Sequence, residues 1–426
     1  MVLWLCGCLL CVDAQRVMTV DEMFGLADKN SKVLKPFLTN SDEAEQAIKE
    51  AKNGKLPDIN LQLSVSYLGD GTITDRDFSN VMRADIPHFG NTFYLEASQV
   101  VFAGGAIDAG IRLAELASGM ASLEKEKQRQ QVRMLLIGQY LDLYKLYNSR
   151  KVYEKNIALT EKLLSDIRNR LEQGVALKTD VTRYELQLSS LQLQLTRMNN
   201  SIDILNRNLT TAIGLEGQTI LPDTTLTAQS LPLSSSGEWD RLTSNSSLAL
   251  HQASLQIDME KQQRRIAHAQ LLPSVALVAS NHLDGPVTID IPAIDKNFNY
   301  WYVGVGMKYQ ISSLFKTKQS LRKSDFAIQR AVENLDNAQE QTSLAIKEAY
   351  SNYTETYTVR QTQEKNVELA QSNYDVVKAR YLEGMALISD MLDASNALLD
   401  AELGLENAKI STLFCYYKMK FISNTL

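Results

Sequence analysis

The sequence predicts a mainly α-helical chain with a membrane β-barrel contribution, in which a strand pair followed by a long coiled-coil helical hairpin is written twice. The first observation behind this is a repeat. Arg170-Leu171-Glu172-Gln173-Gly174-Val175-Ala176-Leu177-Lys178-Thr179-Asp180-Val181 returns about 210 residues later as Arg380-Tyr381-Leu382-Glu383-Gly384-Met385-Ala386-Leu387-Ile388-Ser389-Asp390-Met391. The same offset carries Tyr140 onto Tyr350 and Lys155-Asn156 onto Lys365-Asn366. The second is a seam of period 3.5 beyond each repeated glycine, which an α-helix keeps facing its partner only by supercoiling. The third is a change to period 2 upstream of each hairpin, in a chain with no apolar run long enough for a membrane helix.

Residues 1–14 open the chain. Val2 to Val12 is apolar and carries Cys6, Cys8 and Cys11, and Val12-x-Ala14 offers a small-residue cleavage site before Gln15. This order resembles a secretory signal without its basic start. A buried N-terminal helix and a lipid-modified Cys8 are the other readings. After cleavage only Cys415 remains, on a helix seam, where it reads as a small packing residue.

The first repeat is expected over residues 15–214. Short helices are expected over about Val20 to Asn53, then a strand pair within about 57–102. Ile59, Leu61, Leu63, Val65 and Tyr67 alternate with Asn60, Gln62, Ser64 and Ser66, giving one apolar and one polar face. A second strand runs through Phe93 to Val101. The hairpin follows over about 106–214. Its first helix, from about Ala106 to Gln173, would be roughly 100 Å long. The second carries Val181, Tyr184, Leu188, Leu191, Leu195, Met198, Ile202, Leu205 and Leu209 as its seam. Gly174 sits where the chain reverses, since glycine accepts the left-handed conformation that ends helices.

A linker is expected over 215–240, marked by Pro222, Pro232 and Ser234-Ser235-Ser236. The second repeat, 241–426, starts with a helix at about Ser247 to Gln270. A strand pair within about 273–310 and a hairpin over about 316–422 follow, turning at Gly384. Tyr300-Trp301-Tyr302 reads as part of an aromatic girdle, and strands of about 9 to 11 residues suit an outer-membrane barrel. An ordinary soluble hairpin with one buried face fits the alternation equally well.

The composition excludes several functions. Lysine and arginine number 44 against 50 acidic residues, a net charge of −6, so no basic footprint for nucleic acid is present. His88, His251, His268 and His282 are scattered without ligand spacing, no cofactor motif is readable, and Gly104-Gly105 and Gly304-Val305-Gly306 are not phosphate loops. No nucleophile motif appears, so an enzyme is not expected.

Four strands cannot close a barrel, and open strand edges are not tolerated in lipid. Several copies closing strands at one end and helices at the other satisfy both demands, and the product is a conduit. The alternative of a different class is a periplasmic coiled-coil scaffold without a pore.

The signal-like start, strand pair, helical hairpin, linker and their duplication resemble the TolC family of outer-membrane efflux proteins over nearly everything after about residue 18. The resemblance implies a homotrimer with a twelve-stranded barrel in outer-membrane lipid of a Gram-negative cell and a periplasmic helical tunnel. It implies a periplasmic adaptor and an inner-membrane transporter as partners, in drug efflux or, alternatively, in type I protein secretion. Gly384 through Asp390-Met391-Leu392-Asp393-Ala394 resembles the family's tunnel-mouth motif. That implies Asp390 and Asp393 as the pore constriction, with six carboxylates in three copies. Asp180 and Tyr381 match positions that lock the gate, while Ala386 replaces an arginine the family archetype uses there. Gly174 and Gly384 would mark the tips that dock the adaptor. Each position also has a plain structural reading: a helix N-terminal charge for Asp180, Asp390 and Asp393, and seam packing for Tyr381.

Overall fold

A computed structural model describes residues 15–223, 235–289 and 292–426. The leader expected at 1–14, with Cys8 and Ala14, and the linker around Pro232 lie outside the described residues. In chain order the elements are β1 (Gln15–Met18), α1 (Val20–Asn30), α2 (Lys35–Asn53), β2 (Asp58–Tyr67), β3 (Gly71–Ile73), β4 (Met82–Ala84), β5 (Phe89–Ala103) and α3 (Ala106–Glu172). There follow α4 (Lys178–Ile213), β6 (Thr219–Pro222), α5 (Ser236–Ser246), α6 (Leu248–Ala269), β7 (Ser274–Gly285), β8 (Phe298–Lys308), α7 (Ser313–Leu382) and α8 (Ile388–Ile422). Two compact units form, each drawing on both repeats: the described parts of Met1–Thr39, Leu123–His251 and Asn337–Leu426 in one, Asn40–Ser122 and Gln252–Asp336 in the other.

The strand unit holds a four-stranded antiparallel sheet in the order β2-β5-β7-β8, so β5 of the first repeat pairs with β7 of the second. Residues opposite one another in a ladder share a face. One face therefore reads Ile59, Ala97, Ala279, Val303 in one row and Leu61, Leu95, Asn281, Trp301 in the next. The opposite face reads Asn60, Glu96, Ser280, Tyr302 and then Gln62, Tyr94, His282, Tyr300. Among the described residues nothing covers the apolar face: Leu63 is 69% exposed, Val65 72% and Trp301 72%. The soluble hairpin with a buried face is thus not what forms. Of the aromatic run, strand alternation puts Trp301 on the apolar face and its neighbours Tyr300 and Tyr302 on the polar one. There His282 stacks on Tyr300 with ring centroids 4.8 Å apart and on Tyr302 at 6.1 Å. No helix among the described residues is long and apolar enough to cross a membrane.

The hairpin unit is built from α4, α8 and most of α3 and α7. Helix α3 has 67 residues and α7 has 70, each ending within two residues of its repeated glycine. The seams lie where the period places them: Val181, Tyr184, Leu191, Ile202 and Leu209 of α4 are buried, as are Met391, Ala394, Leu398, Ala408, Thr412 and Met419 of α8.

The short helices over Val20 to Asn53 are α1 and α2, parted at Ser31, whose extended backbone caps α1 by donating its N–H to Ala27 O at 2.9 Å. Two local features depart from the expectation. The linker contains β6, parallel to β1, and the start of α5, capped by Ser235. The loop between β2 and β5 carries the small β3-β4 hairpin. Tyr140 organises the β1-β6 pair: its hydroxyl donates to Met18 O at 2.6 Å and accepts from Asp223 N at 2.7 Å. Around it Met18, Met23, Ile137, Leu141, Leu209, Ile213 and Ile220 form a buried core.

Candidate gate at the hairpin tips

Both hairpins turn by the same mechanism. Gly174 has φ +77° and Gly384 φ +74°, the left-handed region that a side chain disfavours. Gly174 N donates to Leu171 O at 3.0 Å and Val175 N to Arg170 O at 2.9 Å; Gly384 N donates to Tyr381 O at 3.0 Å and Met385 N to Arg380 O at 2.8 Å. This is the pairing that satisfies the last carbonyls of a helix. Past each turn an aspartate caps the returning helix. Asp180 Oδ2 accepts from Leu177 N at 3.2 Å, and Asp390 Oδ2 from Leu387 N at 3.0 Å. One oxygen of each carboxylate is thus committed to its own helix, where the N-terminal dipole also favours it. Asp393, one turn further along α8, is exposed and makes no hydrogen bond or ion pair among the described residues.

The tips of the two hairpins share one apolar core. Leu163, Leu164 and Ile167 of α3, Val181 and Tyr184 of α4, Tyr374 and Tyr381 of α7, and Ile388, Met391, Ala394 and Leu398 of α8 are buried together. Tyr381 is 8% exposed, which fits seam packing, yet it also stands in a charged setting. Burial pushes its phenol pKa up, the Asp180 carboxylate pushes it further, and the Arg170 guanidinium pulls it back. The structure thus brings Asp180 and Tyr381 into electrostatic reach of one another. Asp390 and Asp393 lie on the next helix of the same tip, with Ala386 half-buried between the turn and the cap.

Three participants carried no functional signal in the sequence. Arg170 Nη1 donates to Leu382 O at 2.8 Å while its guanidinium carbon lies 5.6 Å from the Tyr381 ring centroid. It therefore ties the end of α3 to the end of α7. Gln187 Nε2 donates to Asn396 Oδ1 at 2.7 Å, tying α4 to α8. Tyr184 is 1% exposed, and its hydroxyl has no hydrogen-bond partner among the described residues. Farther from the tip Glu402 receives both Lys155 Nζ at 2.5 Å and Asn156 Nδ2 at 3.1 Å.

The sequence profile of one known family, described as Outer membrane efflux protein, matches residues 25–215 and 241–413. The chain belongs to the outer membrane efflux protein family. Outer membrane protein TolC of Salmonella enteritidis is 22% identical over 405 residues, covering 92% of this chain and 79% of that protein. Outer membrane efflux protein BepC of Brucella suis is 22% identical over 333 residues, covering 77% and 71%. Among solved structures, the outer membrane protein VceC of Vibrio cholerae superposes with TM-score 0.77 at 17% identity, covering 95% of this chain and 96% of that one. CusC gives TM-score 0.79 at 13% identity, covering 95% and 91%. As a member of the outer membrane efflux protein family the chain is an outer-membrane efflux channel and not an enzyme. It resides in the outer membrane of a Gram-negative cell, with its helices on the periplasmic side.

Proposed function

We propose that three copies of this chain close into one duct that exports drugs or other small molecules from a periplasmic adaptor and an inner-membrane transporter to the exterior. The observation that carries the reading is the sheet. Among the described residues its outer strands β2 and β8 are each paired on one side only, and its apolar face is uncovered from Ile59 to Trp301. Unpaired strand edges cannot stand in hydrocarbon, so further strands must join both edges, and further copies supply them. The apolar face then meets lipid, while Gln62, Glu96, Tyr94 and His282 line the water-filled side.

The hairpin tips serve as the gate. Asp390 and Asp393 constrict the mouth, and Asp180 with Tyr381 holds it closed. The tips around Gly174 and Gly384 dock the adaptor, supported by Val175, Leu177, Met385 and Leu387, which are 64%, 67%, 64% and 69% exposed at matched positions of the two turns. Residues 15–214 and 241–426 are the duplicated halves, joined by 215–240. Planar-bilayer recording tests the duct: purified protein should give discrete conductance steps, and a preparation that stays in the soluble periplasmic extract and conducts nothing would remove it. Loss of the gene should sensitise cells to drugs and detergents. Unchanged sensitivity together with a lost secreted protein would point to protein secretion instead.

A further inference from the structure

The offset that maps Arg170 onto Arg380 also maps Glu172 onto Leu382. Each pair occupies the same place, since Glu172 is the last residue of α3 and Leu382 the last of α7. Within the chain only half of this pattern is used. Arg170 of the first hairpin donates to Leu382 O of the second at 2.8 Å. Arg380 is exposed and, among the described residues, makes no side-chain hydrogen bond or ion pair, and Glu172 is exposed as well. A second pair behaves alike. Lys155 reaches across to Glu402 of α8, whereas its mate Lys365 meets, among the described residues, Glu368 on its own helix.

We propose that Arg380 joins subunits: its guanidinium donates to the Glu172 carbonyl oxygen of the next copy of this chain and pairs with the Glu172 carboxylate there. This rests on the ring-like assembly proposed above. In a ring the neighbour beyond the second hairpin is the first hairpin of the following copy, presenting the same helix end that Arg170 finds inside one chain. A helix C-terminus exposes unsatisfied carbonyls and the negative end of its dipole, so a guanidinium suits it. The exchange of side chains also fits. Arg170 rests on the Tyr381 ring, and the matching position under Arg380 is Leu171, which offers no π face. Glu172 in place of Leu382 supplies a carboxylate instead, so the contact between copies is an ion pair and depends on salt, while the internal contact does not to the same degree.

The test uses the full chain in detergent with all four cysteines, Cys6, Cys8, Cys11 and Cys415, replaced by serine. Arg380→Cys with Glu172→Cys, treated with a short bismaleimide, should give linked dimers and trimers on a denaturing gel. Arg170→Cys with Leu382→Cys, the control for reach, should link internally and stay at single-chain size. An intact oligomer by light scattering with only single-chain product from the first pair overturns the inference and leaves the ring standing. A monomer overturns both. Should the double variant fail to fold, Arg380→Ala decides. Its oligomer should dissociate in dodecyl sulfate at a lower temperature than that of the parent or of Arg170→Ala, with partial recovery in Arg380→Lys, and unchanged heat resistance would refute the contact.

Discussion

Asp180 and Asp390 hold the same bond in the two repeats: each carboxylate accepts the backbone N–H three residues before it, Leu177 N at 3.2 Å and Leu387 N at 3.0 Å. The residues that the sequence marks as gate elements therefore also build the helices that present them. The structural and functional readings are not rivals here, and substitutions can separate them.

Asp390→Ala removes the side chain that accepts Leu387 N at the start of α8 and should cost about 0.5–1.5 kcal/mol of hairpin stability, the usual net worth of one hydrogen bond. Asp390→Asn keeps an acceptor oxygen and should recover most of that loss. Both variants should weaken cation preference, measured as reversal potential in asymmetric salt. Asp393→Ala, whose carboxylate holds no bond, should weaken cation preference while shifting thermal unfolding by no more than about 0.5 kcal/mol. Unchanged selectivity in all three would take these residues out of the mouth.

Gly174→Ala and Gly384→Ala should each destabilise by about 1 kcal/mol, equally at the two tips. The cost is one of backbone alone, because a Cβ at either position meets nothing within 4 Å. Circular dichroism melting in detergent reads this, and a much larger loss at one tip would reveal a packing role that only one turn has.

Two buried tyrosines should answer oppositely to loss of the hydroxyl. Tyr140 donates to Met18 O and accepts from Asp223 N, so Tyr140→Phe should destabilise by about 1–3 kcal/mol. The Tyr184 hydroxyl is buried without a partner, so Tyr184→Phe should be neutral or stabilising by up to about 1 kcal/mol. A Tyr184→Phe variant that unfolds readily would mean the hydroxyl has a partner in the assembled protein.

The hairpins were legible because a seam of period 3.5 survives for nine positions in each repeat, and the strands because Ile59 to Tyr67 alternates cleanly. The pairing of β1 with β6 was not. Two four-residue strands about 200 residues apart carry no periodicity, and the Tyr140 hydroxyl that links them looks in the sequence like any seam residue. Arg170 was visible as a repeated residue, but its bond goes to a backbone carbonyl, which leaves no mark on residue type. The aromatic run divides for a plainer reason: consecutive strand residues face opposite ways, so of the three only Trp301 shares the apolar face. Which carboxylates cap a helix and which face a pore also depends on orientation that spacing alone leaves open.

Alkaline pH should loosen the hairpin unit. Burial pushes the Tyr417 phenol up to about 12, with the Asp21 charge adding to it, and burial also raises Tyr140. An unfolded tyrosine titrates near about 10. The folded state favours the neutral phenol, so this stability is complete below about pH 10 and is lost as pH rises through the folded value. Unfolding midpoints should fall between about pH 10 and 12, and Tyr417→Phe should flatten that decline. A midpoint independent of pH over this range would contradict the burial of these phenols.

The central claim is that one chain is an incomplete object whose uncovered sheet face and open edges are sealed only by further copies. Light scattering of the detergent-solubilised protein, corrected for bound detergent, tests it most directly. The account predicts the mass of three chains with no folded monomer. A single chain that remains folded and soluble in buffer without detergent would contradict it.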